Sequence, residues 1–161
     1  MNNHIKKNNA GFGLIEILLV VGVGMATFLG IEQYLNLSLS AAIRDSYLTE
    51  ALYLVKSNVE QSRSVRDEDW TLISGLTIGN QYSFLSDESV PQKIITQGGA
   101  EIKGRYTVWI TTSAVQRDAE DNIVSVGGTV DPDILKINSS ASWLENGTTK
   151  QVTVSEYLVN F

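Results

Sequence analysis

Residues 11–31, GFGLIEILLVVGVGMATFLGI, constrain this chain more than any other stretch. Ile17 to Ile31 carry no charge and are dominated by Leu, Val, Ile, Phe and Met, a composition that favours an apolar surrounding over water. Counted from Leu14, the run is 18 residues long. As a helix it spans roughly 27 Å at about 1.5 Å per residue, near the hydrocarbon thickness of a bilayer. The sequence therefore predicts contact with a membrane through residues 14–31.

Glu16 interrupts that run. A lone carboxylate costs about 2.5–3.5 kcal/mol at the bilayer centre and less toward the interface, so it calls for a partner or a headgroup-level position. A cut of the Gly11–Phe12 bond would give Phe12 a new α-amine four residues before Glu16, one helical turn away. That amine is positive, or partly so, near neutral pH. The helix dipole also favours an acid in the first turn. An uncleaved signal-anchor helix with Glu16 at headgroup level accounts for the same residues.

Residues 1–11, MNNHIKKNNAG, are polar and basic, without the apolar core and small-residue cleavage site of a standard secretory signal. Lys6 and Lys7 are expected on the cytoplasmic side, which puts residues beyond about Ile31 outside. The single histidine, His4, falls in this leader, a poor place for a catalytic base.

The segment KKNNAGFGLIE resembles the class III signal of type IV pilins and type II secretion pseudopilins: a short basic leader ending in Gly, then Phe, then Glu as the fifth mature residue. The resemblance implies cleavage after Gly11 by a prepilin peptidase and N-methylation of Phe12. It also implies pairing of Glu16 with the terminal amine of a neighbouring subunit, so other pilin subunits are expected partners. Gly13 departs from the pattern, where Thr or Ser is more usual. The last stretch, SWLENGTTKQVTVSEYLVNF, is similar to the final hairpin of minor pilins and small pseudopilins, a less specific likeness that favours a minor subunit over a major one. Many type IV pilins close a C-terminal loop with a disulfide, whereas this chain has no cysteine.

Length and charge bound the remainder. At 161 residues there is room for one domain and an anchor. Loss of residues 1–11 removes Lys6 and Lys7 and no acid, taking the formal charge from −6 to −8. Such acidity argues against a phosphate grip on nucleic acid, which is built from clustered Lys and Arg. Without cysteine there is neither a disulfide nor a thiolate zinc site.

Beyond the apolar run the helical pattern continues. Leu48, Ala51, Leu52, Val55 and Val59 recur at helical spacing, and no proline precedes Pro91. The helix is expected to end near Arg66 and to pack Leu48, Leu52, Val55 and Val59 on a sheet. Trp70 is expected to plug the helix–sheet junction. Residues 67–104 read as a connecting region with short strands near 81–85 and 93–97. In RYTVWITTSAV, Tyr106, Val108 and Ile110 share one face, and Thr107, Trp109 and Thr111 the other. A polar loop at 117–122 precedes a short strand, IVSV. In ILKINSSASWL the residues Leu135, Ile137, Ala141 and Trp143 align, and Asn146-Gly147 supplies a two-residue turn into a returning strand with Val152, Val154 and Leu158 on one face.

The organisation expected is a leader (1–11), a membrane or filament-core helix half (12–31), an amphipathic half (32–66), a connecting region (67–104) and an antiparallel sheet (105–161). The fold class is α+β, a long N-terminal helix packed on a C-terminal sheet, which in family terms is the pilin fold. The localisation that follows is a single-pass membrane protein with a cytoplasmic N-terminus, later a filament.

Residues for catalysis are missing from the pattern. The expected mature chain has neither Cys nor His, and phosphate-binding and dinucleotide motifs are absent, so no enzyme and no cofactor is expected. Asp118, Glu120 and Asn122 alternate like the opening of a calcium loop, but Ile123 stands where an EF-hand needs Gly. They are a weak metal candidate beside a solvated turn. Asn138-Ser-Ser140 and Asn146-Gly-Thr148 match glycosylation sequons yet fit strand and turn positions better.

Overall fold

The computed structural model describes residues 13–84, 94–96 and 100–161. The described residues fall into two compact units, one ending at Asp45 and the other running Ser46–Phe161. Helix α1, Leu14–Glu68, contributes to both.

In the first unit every described side chain is exposed. Exposure continues past Ile31 to Ser46, and burial of α1 begins at Tyr47, one residue before the expected stripe.

In the second unit the rest of α1 packs on an antiparallel sheet, giving the α+β arrangement. The buried positions of α1 are Ala51, Val55, Asn58, Val59, Ser62 and Val65. Ala51, Val55 and Val59 of the expected stripe are buried, but Leu52 is half-buried and Leu48 is 41% exposed. The correction is a rotation of the buried face. Spacing of apolar residues includes Leu48 and Leu52, whereas the sheet accepts the polar Asn58 and Ser62 beside Ala51, Val55 and Val59. The helix also runs two residues past Arg66, to Glu68.

Asp69 then caps a short second helix, α2 (Trp70–Ser74), in place of the expected loop. Its carboxylate accepts from the Thr71 N–H at 2.9 Å and the Thr71 hydroxyl at 2.7 Å, which satisfies an orphan donor of the first turn. Trp70 sits at the start of α2 and packs, half-buried, against the core.

Strands β1 (Tyr82–Phe84) and β2 (Ile94–Thr96) pair antiparallel. They fall inside the expected 81–85 and 93–97, whose outer residues Leu85, Lys93 and Gln97 lie outside the described set. A further strand, β3 (Glu101–Lys103), pairs with β4 (Tyr106–Arg117). Gly104, at φ +62°, makes the tight reversal between them. β5 is Ile123–Val124, shorter than the expected IVSV. β6 is Thr129–Glu145 and β7 is Thr148–Val159. The main path of the sheet runs β2-β1-β4-β6-β7, with β3 and β5 also on β4.

β6 starts five residues before the expected Ile134 because Thr129–Asp131 pair with the end of β4. Ala114 faces Leu135 while Val115 faces Asp131, which leaves Pro132–Ile134 without partners on β4. A proline, lacking an N–H for the ladder, is tolerated in such an interruption. β6 and β7 meet at Asn146 (φ +50°) and Gly147 (φ +76°), both left-handed as a type I′ turn requires.

Two apolar clusters join helix to sheet. Ala51, Val55, Tyr106, Val108, Ala141 and Trp143 form one; Val65, Ile73, Tyr82, Phe84, Ile110, Leu135, Ile137 and Leu158 form the other. Between them along α1 come buried Asn58 and Ser62, and along β6 the buried Ser139. Asn58 Oδ1, Thr112 Oγ1 and Ser139 Oγ have no hydrogen-bond partner among the described residues.

Candidate functional site

The first turn of α1 holds the acid that interrupts the apolar run. Gly11 and Phe12 lie outside the described residues; Glu16 does not. Its Oε2 accepts from the Gly13 N–H at 3.1 Å, while the Glu16 N–H donates to the Gly13 carbonyl at 2.9 Å. This is half of a capping box: the acid at the third helical position reaches back to the residue before the helix. Gly13 has no hydroxyl to return the bond. Among the described residues the other carboxylate oxygen of Glu16 has no partner.

From Ile17 to Ile31 the surface is apolar on all sides, with Leu18, Leu19, Val20, Met25, Phe28 and Leu29 each more than 60% exposed. The one hydroxyl in this run, on Thr27, lies 2.8 Å from the Gly24 carbonyl and 3.1 Å from that of Val23, so it needs no water. Gly22, Ala26 and Gly30 follow one another at every fourth position on one face. Open space lies where a side chain would start at Gly22 and Gly30. Small residues so spaced let a second helix approach closely in lipid. By length and composition the helix can cross a bilayer, compatible with a single-pass anchor.

No protein-family model, no curated protein and no solved structure matches the chain.

The acidic loop of the second unit is organised as a turn. Asp118 Oδ1 accepts from the backbone N–H groups of Glu120 at 3.1 Å and Asn122 at 2.8 Å, and the Asn122 side-chain amide donates to both carboxylate oxygens. These bonds, those from Asn122 first, hold the Asp118 carboxyl below the usual carboxylate range. Asn122 thus faces Asp118 with its N–H₂ rather than with its ligand oxygen, and Glu120 is exposed. Among the described residues no group of three or more His, Cys, Asp or Glu is arranged to hold a metal. Asp131, beside this loop, is held low by the Arg117 guanidinium, whose Nε donates to its Oδ2 at 2.6 Å.

The sheet's outer face carries a feature that alternation alone leaves unassembled. Register places Ser113, Lys136 and Tyr157 in one row, and Thr111, Asn138 and Ser155 in the next. The Asn138 amide donates to Ser113 Oγ at 3.1 Å and accepts from the Ser155 hydroxyl at 2.7 Å. Strand alternation in the sequence identifies this face, but only pairing brings its residues into rows.

Proposed function

We propose that this chain is a structural subunit of a type IV pilus or related filament, a minor pilin or a secretion pseudopilin. In this reading it is inserted with its N-terminus cytoplasmic and cut after Gly11 by a prepilin peptidase. Phe12 is N-methylated, and the subunit assembles through its N-terminal helix with other pilin subunits. No catalytic role belongs to it.

The observation that carries the reading is an acid in the first turn of a helix whose next fifteen residues are all apolar or small except for Thr27, all of them exposed. Each large apolar side chain gains about 1.5–3 kcal/mol when taken from water. Lipid supplies that cover first, and the helices of neighbouring subunits supply it in a filament. The burial is kept in the exchange, while the second Glu16 oxygen gains the Phe12 amine of a neighbour. The C-terminal hairpin resemblance supports a minor subunit.

Two measurements test this. Mass spectrometry of the membrane-extracted protein should find methylated Phe12 at the N-terminus. Glu16→Ala should leave membrane insertion intact and reduce incorporation into sheared filaments, read by immunoblot. Normal incorporation of the variant rejects the role of Glu16.

A second reading has its own observation. The bond from the Gly13 N–H gives Glu16 a local partner, as a self-capped anchor helix requires. An uncleaved signal-anchored extracellular binding domain follows from it, and recovery of Met1 as the N-terminal residue would favour that reading.

A further inference from the structure

The register of β4 on β6 shifts between Ala114 and Val115, and both residues line a hollow of about 450 Å³ on the second unit. This lies within the range of roughly 300–1,000 Å³ usual for small-molecule sites. The row Ser113, Lys136 and Tyr157 lines it together with Ile123, Val124 and Ser125.

The chemistry of the lining is specific. Lys136 Nζ lies 5.8 Å from the centroid of the Tyr157 ring, which is half exposed. None of the ion pairs among the described residues involves Lys136. It is also the one charged side chain among the alternate, outward positions 107–113 of β4, 136–144 of β6 and 149–157 of β7. In a chain of formal charge −6, this is a cation without a carboxylate of its own among the described residues. Asn138 donates to Ser113 Oγ, which leaves the Ser113 O–H to donate into the hollow.

We propose that this hollow binds a carboxylate-bearing sugar of the uronic acid class. The single ammonium matches a single carboxylate. The Tyr157 ring offers an apolar surface to the C–H face of a pyranose, and the Ser113 and Ser125 hydroxyls exchange hydrogen bonds with its hydroxyls. A phosphate, carrying about −1.5 to −2 charge at neutral pH, is a worse match, because Lys136 is the one charged side chain in the lining. The site lies wholly within the second unit and is independent of cleavage and filament assembly.

The test is calorimetric titration of the full chain in detergent with D-glucuronate, D-glucose and inorganic phosphate. Saturable binding of D-glucuronate is expected, weakened at least about tenfold in Lys136→Gln, a loss suited to one charge-assisted contact. Tyr157→Leu should weaken it too, with unchanged melting temperatures showing that both variants are folded. Equal binding of glucose or phosphate overturns the proposal. So does unchanged affinity in Lys136→Gln, or no saturation by D-glucuronate up to about 0.1 M, weaker than any affinity of use.

Discussion

Tyr106 and Glu50, 56 residues apart in the chain, are joined by a hydrogen bond: the Tyr106 hydroxyl donates to Glu50 Oε2 at 2.8 Å. It also lies 3.1 Å from the Tyr47 carbonyl, and the Arg105 guanidinium stacks 3.9 Å over the Tyr47 ring. The start of β4 is thus tied to the helix where burial of α1 begins. Burial first, and the bond to Glu50 second, push the Tyr106 hydroxyl from the ordinary 10.0 up to about 12.

That shift has a sign. Between the two values the unfolded chain gives up a proton that the native state keeps, so stability is full below about pH 10 and falls as pH rises toward 12. Tyr106→Phe should cost about 1.5–3 kcal/mol at neutral pH, the worth of a hydrogen bond to a charged group, and should flatten the alkaline limb. Denaturant unfolding at pH 7 and a melting series from pH 8 to about 11.5 check both.

The rotation of the buried helix face separates two substitutions that look equivalent in sequence. Val55→Ala removes fully buried methyl groups and should cost about 2 kcal/mol, transfer and cavity together. Leu48→Ala should cost less than about 1 kcal/mol despite the larger truncation, since Leu48 is 41% exposed. Paired denaturant midpoints test the order, and a reversed order would restore the stripe expected from spacing.

Ser139 is completely buried, with its hydroxyl unpartnered among the described residues. Ser139→Ala should therefore stabilise the fold by about 1 kcal/mol, because the unfolded serine keeps water that the native one loses. A rise of a few degrees in melting temperature is the expected reading.

Gly147 sits at φ +76° in the turn between β6 and β7. Gly147→Ala should cost about 1–2 kcal/mol, the left-handed penalty for a side chain. The fold should otherwise be kept, as judged by an unchanged far-ultraviolet circular dichroism spectrum before melting.

On the acid side, Asp69, Asp118 and Asp131 are all held below the usual carboxylate range, by Thr71, Asn122 and Arg117 respectively. A lowered carboxyl contributes stability above its unfolded value and loses it as pH falls through the native one. Melting temperature should accordingly stay level down to about pH 4 and then drop. Arg117→Gln, which releases the Asp131 carboxyl back toward the usual carboxylate range, should make that drop shallower, and millimolar calcium should move nothing, because the Asn122 amide already donates to both Asp118 oxygens.

Much of this is legible in the residues themselves. The apolar run from Ile17 to Ile31 is a property of composition, and no tertiary contact is needed to see it. Asn146-Gly147 dictates its own turn, since few dipeptides accept two left-handed residues in succession. The face carrying Tyr106, Val108 and Ile110 follows from strand alternation. The single turn of α2, by contrast, depends on one cap at Asp69, too short a signal to stand out from a loop. The exposure of Leu48 depends on what lies opposite it.

By itself, then, the sequence determined where the chain is oily, where it turns and which faces of its strands are apolar, because each depends on residues within a few positions of one another. Only the tertiary structure decided that Asn58 and Ser62 meet the sheet while Leu48 does not, that Pro132 falls where β6 loses its partner, and that Ser113, Lys136 and Tyr157 share a row. Those outcomes rest on pairing between residues distant along the chain, and a periodic pattern carries no information about its partner's register.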